Sequence, residues 1–138
     1  MKSFTLEVTT QEKHLLTETV TSLTAMTEAG EVTILAGHIP LLARVARGEM
    51  SYKSQGKEFH FAVTGGFIDV SPRGIVTILA DSAIRSDLIN VELAQKAVVD
   101  AQKALEEAPD KQTSLKIELE LRSAVLMSKV AQKHRFGN

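Results

Sequence analysis

Apolar and polar residues alternate from the start of the chain, with Phe4, Leu6 and Val8 at every second position. A period of two puts one face of a strand in a core and the other in water. The pattern returns at Met50 and Tyr52, passes through Gln55-Gly56, and resumes at Phe59, Phe61 and Val63. That reads as a hairpin whose register is set by its turn. A second hairpin joins Phe67-Ile68-Asp69-Val70 to Ile75-Val76-Thr77-Ile78-Leu79 through Ser71-Pro72-Arg73-Gly74, where proline presets φ and glycine accepts a left-handed turn position. Turn signals at Gly30, Gly37, Gly48, Gly56, Gly65-Gly66 and Gly74 recur at roughly the eight-to-twelve-residue spacing of a β-sandwich or barrel. The threonine-rich stretch from Thr17 to Thr27 fits strands as well, because β-branched side chains suit them better than helices. The period of two persists to about Ala80.

From Asn90 the period becomes helical, and glycine vanishes until Gly137. Asn90 is placed to cap a first helix, with Glu92 near the positive end of its dipole. Ala94, Ala97, Val98, Ala101, Ala104, Leu105 and Ala108 recur at three- and four-residue intervals, a narrow stripe that lets another helix come close. Pro109 breaks the helix by removing an amide and disfavouring helical geometry before it. Asp110 then caps a second helix, expected from about Lys111 to near Lys133 and returning antiparallel. The predicted fold is therefore β + α: an N-terminal antiparallel β-sandwich over residues 1–87, followed by a C-terminal antiparallel two-helix hairpin over 88–138.

The second helix is apolar on two faces. Leu115, Leu119, Leu126 and Val130 form one stripe, and Ile117, Leu121, Ala124 and Val125 another. One can meet the alanine seam; the other packs either on the sandwich or on a partner protein. A hairpin of about fifty residues draws only a few kcal/mol from its own core, so it is expected to depend on docking and to be movable.

Composition narrows the function. The 138 residues leave room for a small domain and an appendage. No run approaches the roughly eighteen apolar residues of a membrane span, so no direct membrane insertion is expected. Sixteen basic and seventeen acidic residues give a net charge of -1, without the excess that grips nucleic acid nonspecifically. Partners should be recognised by shape. Absence of cysteine removes disulfides, thiolate zinc sites and cysteine nucleophiles, and fits a reducing compartment. Met1 to Val8 alternate at once and lack the features of a signal or transit peptide.

Catalytic chemistry is hard to find. His14, His38, His60 and His134 lack a spacing that puts two on one helix face for a metal. There is no phosphate-cradling loop, nucleophile elbow or dinucleotide fingerprint. Gly65-Gly66 is too short to hold a phosphate and reads as a tight turn or close sheet packing. No catalytic residue, metal or cofactor is expected.

One segment stands out: Gly30-Glu31-Val32-Thr33-Ile34-Leu35-Ala36-Gly37-His38-Ile39-Pro40-Leu41-Leu42. Taken alone it reads as a proline-stiffened loop between strands, with His38 bonded to backbone. However, its Gly-Glu-x-x-Ile-x-x-Gly-His-x-Pro-Leu-Leu pattern closely resembles the hallmark of the epsilon subunits of rotary F-type ATP synthases. Gly65-Gly66-Phe67-Ile68-Asp69-Val70 is similar to that family's Gly-Gly-x-x-x-Val strand, and Val76-Thr77-Ile78-Leu79-Ala80-Asp81-Ser82-Ala83-Ile84-Arg85 to the segment closing its sandwich. The resemblance spans the whole chain.

The resemblance implies a non-catalytic central-stalk subunit, peripheral on the cytoplasmic face of a bacterial inner membrane, that couples proton-driven c-ring rotation to ATP synthesis. Its partners would be the gamma subunit, the c-ring and the alpha/beta catalytic hexamer. Glu31, Gly37, His38, Ile39, Pro40, Leu41 and Leu42 would lie near the rotor interfaces. Interfaces that hold bury about 1,600 Å² in total, so the sandwich should expose an apolar patch. The hairpin would inhibit ATP hydrolysis by opening along gamma, with Lys116, Arg122, Lys129, Lys133 and Arg135 facing acidic segments of the hexamer; the alternative for these cations is a solvated surface. Some members bind ATP through an Ile/Leu-Asp-x-x-Arg-Ala motif at the start of the first helix. Here Val91-Glu92-Leu93-Ala94-Gln95-Lys96 keeps an acid at Glu92 but has Gln95 in place of the arginine, whose charge-assisted bonds are about twice as strong as neutral ones. Weak or absent ATP binding is expected. Two other readings are an ATP-sensing regulatory module and a sandwich that binds carbohydrate or peptide. An aromatic content of 4% gives the last little platform.

Overall fold

A computed structural model describes residues 2–134, and the chain divides between Arg85 and Ser86 into two compact units. The first carries ten strands: β1 (Phe4–Thr10), β2 (His14–Val20), β3 (Ser22–Thr27), β4 (Gly30–Leu35), β5 (Leu41–Val45), β6 (Gly48–Ser54), β7 (Lys57–Val63), β8 (Gly66–Val70), β9 (Ile75–Ala80) and β10 (Ala83–Arg85). Their order is β10-β7-β6-β3-β5-β8-β9-β1-β2, with β4 paired to β3. The path turns a corner where Thr27 alone meets Val45, giving one layer of β4-β3-β6-β7-β10 and a second of β5-β8-β9-β1-β2. Neighbours are antiparallel except β1 and β9, which run parallel from Thr5↔Ile75 to Thr10↔Ala80. Sequence alternation carries no information on strand direction, so this exception was not visible in it.

The alternation does select the core. Phe4, Leu6 and Val8 are buried while Thr5 and Glu7 are not, and Leu23, Ile34, Met50, Tyr52, Ile68, Val76 and Ile78 complete the interior. Gln55 and Gly56 have φ of 53° and 78°, both left-handed as a tight hairpin turn requires. At Gly66 a side chain would collide with the backbone carbonyl of Leu79, so Gly65-Gly66 serves close sheet packing. Where the layers meet at β2 and β6, the Tyr52 hydroxyl donates to Glu18 Oε2 (2.8 Å) and Ser54 Oγ donates to the Thr19 carbonyl (2.8 Å).

The second unit holds a 3-10 turn (Ser86–Leu88) and two α-helices, α1 (Val91–Glu106) and α2 (Lys111–Lys133). Asn90 Oδ1 accepts from Leu93 N at 3.0 Å, and Asp110 Oδ1 from Thr113 N at 2.7 Å, so each helix has the cap its sequence announces. The Thr113 amide, helped by its hydroxyl, holds the Asp110 carboxyl below its ordinary value. The helices pack on each other. Their seam is narrower than expected: Ala94, Val98, Ala101, Leu105 and Ala108 are buried or half-buried, whereas Ala97 and Ala104 are exposed. On α2, Leu115 and Leu119 are exposed, while Ile117, Leu121, Val125 and Leu126 are half-buried and Ala124 and Val130 buried. No helix among the described residues is long and apolar enough to cross a membrane.

Candidate functional site

The segment from Gly30 to Leu42 is mostly not a loop. Val32 and Ile34 alternate with polar residues, and the chain folds them into β4; Leu41 and Leu42 already belong to β5. Only residues 36–40 connect the two strands. Gly37 takes φ 83°, the His38 amide donates to the Leu35 carbonyl (3.0 Å), and His38 Nδ1 lies 2.7 Å from the Ile39 carbonyl. The ring nitrogen at that position donates, which fixes the tautomer. His38 is thus bonded to backbone, and the turn projects Ile39, which is 75% exposed. A depression of about 70 Å³ at its base is lined by Phe4, Ile34, Gly37, His38, Val70 and Pro72.

The outer face of β5, β8 and β9 supplies a larger feature. Leu42 is 72% exposed, Leu79 47%, Phe67 46% and Ile75 38%. Register places Arg44 opposite Phe67 and Phe67 opposite Leu79, so the rings and branches adjoin across strands. The Arg44 guanidinium lies 5.5 Å from the Phe67 ring centroid, within cation–π range, and 3.7 Å from Glu28. In the sequence Phe67, Ile75 and Leu79 read as strand residues without a site. The signal was present: Phe67-Ile68 and Ile75-Val76, then Ile78-Leu79, are apolar at both parities, and a strand apolar on both faces has a second face to cover.

The residues expected at the interface separate into three places. Gly37, His38, Ile39 and Pro40 form the turn, Leu42 joins the apolar face, and exposed Glu31 stands four residues before Leu35 on β4, about 13 Å along the strand. Leu41 is half-buried. On α2, Lys116, Arg122, Lys129 and Lys133 are all exposed; helical geometry of about 100° per residue brings Arg122, Lys129 and Lys133 onto one face and puts Lys116 on another. Arg135 lies outside the described residues. Glu92 and Gln95 are exposed neighbours in the first turn of α1.

The histidines are engaged. His14 lies 3.1 Å from Thr9 Oγ1 and 2.7 Å from Thr17 Oγ1, and His60 lies 2.9 Å from Glu49 and 3.6 Å from Glu58.

Comparison with known proteins gives this surface a context. Residues 3–86 match the family model described as ATP synthase, Delta/Epsilon chain, beta-sandwich domain. The chain is 36% identical over 130 residues to an ATP synthase epsilon chain of Herpetosiphon aurantiacus, covering 94% of this chain and 95% of that one. An ATP synthase epsilon chain of Nitratidesulfovibrio vulgaris is 36% identical over 129 residues, covering 94% and 96%. Among solved structures, a chain of the Euglena gracilis mitochondrial ATP synthase, imaged as OSCP/F1/c-ring in one rotational state, aligns with TM-score 0.77 and 28% identity over 96% of this chain and 82% of that one. A chain of the Tetrahymena thermophila mitochondrial ATP synthase central stalk and c-ring shares the fold, with TM-score 0.64 and 14% identity over 94% and 97%.

Proposed function

The chain belongs to the epsilon chains of the ATP synthase Delta/Epsilon family, and from that premise we propose that it is a non-catalytic rotor subunit that clamps the gamma subunit to the c-ring. The observation that carries this reading is the exposed apolar face of Leu42, Phe67, Ile75 and Leu79, which presents itself to gamma. It stands on strands whose opposite faces, Ile68, Val76 and Ile78, are fully buried. A part that passes torque must not deform, and a docking face backed directly by a packed core meets that demand. The turn carrying Ile39 addresses the polar loops of the c-ring, and the presence of a c-ring in the Euglena assembly supports this.

Residues 88–138 act as a brake on hydrolysis. Leu115 and Leu119 are more than half exposed, which favours a partner over the hairpin's own core as the occupant of that stripe, and Arg122, Lys129 and Lys133 supply cations toward acidic segments of the catalytic hexamer. The pair Glu92 and Gln95 gives ATP no guanidinium to bind, so the brake does not depend on tight nucleotide binding. The subunit is peripheral, on the cytoplasmic side of a bacterial inner membrane.

Phe67→Asp removes the aromatic ring between Arg44 and Leu79 and adds a carboxylate to the face that already carries exposed Asp69, while leaving the buried side of β8 untouched. Co-purification with gamma is expected to be lost, and retention at the wild-type level would refute the docking face. Truncation after Leu88 is expected to leave assembly intact and to raise ATP hydrolysis several-fold; unchanged hydrolysis would remove the inhibitory role.

A further inference from the structure

Two carboxylates interrupt the apolar face. Register sets Glu7, Thr77, Asp69 and Leu42 in one row across β1, β9, β8 and β5. Glu7, Thr77 and Asp69 point away from the core, because their neighbours along the strands, Leu6, Val8, Val76, Ile78, Ile68 and Val70, are buried. Thr77 stands between Ile75 and Leu79 on β9. Asp69 stands between Leu42 and Thr77 across the strands and two residues after Phe67 along β8. A surface that covers Leu42, Phe67, Ile75 and Leu79 therefore covers Asp69 in their midst, and it meets Glu7 one strand beyond Thr77.

Covering a carboxylate without a counter-charge is costly, and this face does not supply one. Among the described residues no ion pair includes Glu7 or Asp69. Arg44, the cation on β5, is already committed, with its guanidinium over the Phe67 ring and 3.7 Å from Glu28. The missing charge has to come from the partner. Two strand spacings separate Glu7 from Asp69, about 10 Å between backbones, with the Thr77 side chain between them. An ammonium is a compact point charge, whereas a guanidinium donates from several N–H groups of a planar fork. The fork is the group that reaches two carboxylates so spaced.

We propose that one arginine of the gamma subunit seats over Thr77 and bridges Glu7 and Asp69, and that this acid pair determines which surface of gamma the apolar face accepts. Apolar contact is non-directional and tolerates sliding. A covered charge pair does not, because a shift of one residue leaves both carboxylates without their donor. The leucines, Ile75 and Phe67 thus supply area, and Glu7 and Asp69 supply register and specificity. This inference rests on the rotor assignment and names the chemistry by which the partner is told apart.

The test measures the affinity of the full chain for the gamma-containing assembly of its own synthase, stripped of this subunit. Glu7→Gln and Asp69→Asn each remove one charge with little change of shape. Glu12→Gln, at an exposed position between β1 and β2, removes the same charge away from the face and is the control. Each substitution on the face should lower affinity at least about tenfold, and Glu12→Gln should stay within about twofold. Replacing the arginines of gamma one at a time by alanine should find one whose loss abolishes the effect of both Glu7→Gln and Asp69→Asn, the coupling that a double-mutant cycle isolates. Wild-type affinity in either face variant, an equal loss with Glu12→Gln, or a scan in which no single arginine couples to both acids would overturn the inference while leaving the rotor assignment standing. So would a free chain that self-associates and loses this with Asp69→Asn, since the arginine would then come from a second copy. Failure of the wild-type chain to bind the assembly at all would overturn both. Should either face variant not fold, the alanine scan against the wild-type chain decides, and the inference falls if no arginine of gamma costs about tenfold.

Discussion

The β unit and the helical unit are stabilised in different ways. In the first, a single cluster runs from Phe4 to Ala80 and includes Leu6, Val8, Leu23, Ile34, Met50, Tyr52, Ile68 and Ile78, all at most 1% exposed. In the second, the buried apolar residues are Ala94, Ala124, Val130 and Ala131, three of them alanines. Apolar burial stabilises by about 25 cal/mol per Å², so small side chains on a two-helix seam supply little, and local features such as caps matter more. The proposed clamp and brake would need this contrast: one part would hold its shape through every turn of the shaft, and the other would come loose.

The largest expected effect comes from the core. Ile68→Ala on β8 should cost about 2–5 kcal/mol, whereas Leu119→Ala, at a position 52% exposed, should stay within about 0.5 kcal/mol. Tyr52 is the chain's one tyrosine, and there is no tryptophan; its intrinsic fluorescence reports on the β unit, while helical circular dichroism reports mainly on the hairpin. Denaturant unfolding followed by both signals would break the contrast if Leu119→Ala lowered the tyrosine midpoint as much as Ile68→Ala.

A smaller effect is expected at the first helix cap. Asn90→Ala leaves the Leu93 amide without its acceptor and should cost about 1 kcal/mol of helix stability. It should appear in the helical signal and leave the tyrosine midpoint unmoved. A shift of both together would mean that the two units unfold as one.

Much of this was legible in the sequence because it is local. The turn at Gln55-Gly56, the break at Pro109 and the caps at Asn90 and Asp110 are each decided by a few adjacent residues, and α2 begins and ends where its periodicity does. What depended on distant strands was less legible. The parallel pairing of β1 with β9 brings together segments about seventy residues apart, and nothing in Phe4-Thr5-Leu6 specifies it. The exposed apolar residues of β8 and β9 are not assigned to any patch by the sequence, since Phe67 and Leu79 become neighbours only through register. Taken alone the segment around Glu31 reads as a proline-stiffened loop, although Val32 and Ile34 alternate with polar residues in what is a strand.

The smallest effect is a titration at the second cap. Asp110 is exposed and accepts the Thr113 amide at 2.7 Å, so its carboxyl is held below its ordinary value. A carboxylate whose folded pKa is depressed contributes stability that is fully present above its unfolded value, near 3.9, and is lost as pH falls through the lower folded one. Near neutral pH the contribution is constant. Below about pH 4 the start of α2 should fray in the wild-type chain, whereas Asp110→Asn keeps a good capping side chain that does not titrate. The difference between the two in helical circular dichroism, taken from neutral pH downward, isolates this one group from the other acids of the hairpin. Identical acid profiles would show that the cap contributes nothing to holding α2, and that packing against α1 alone sets where it begins.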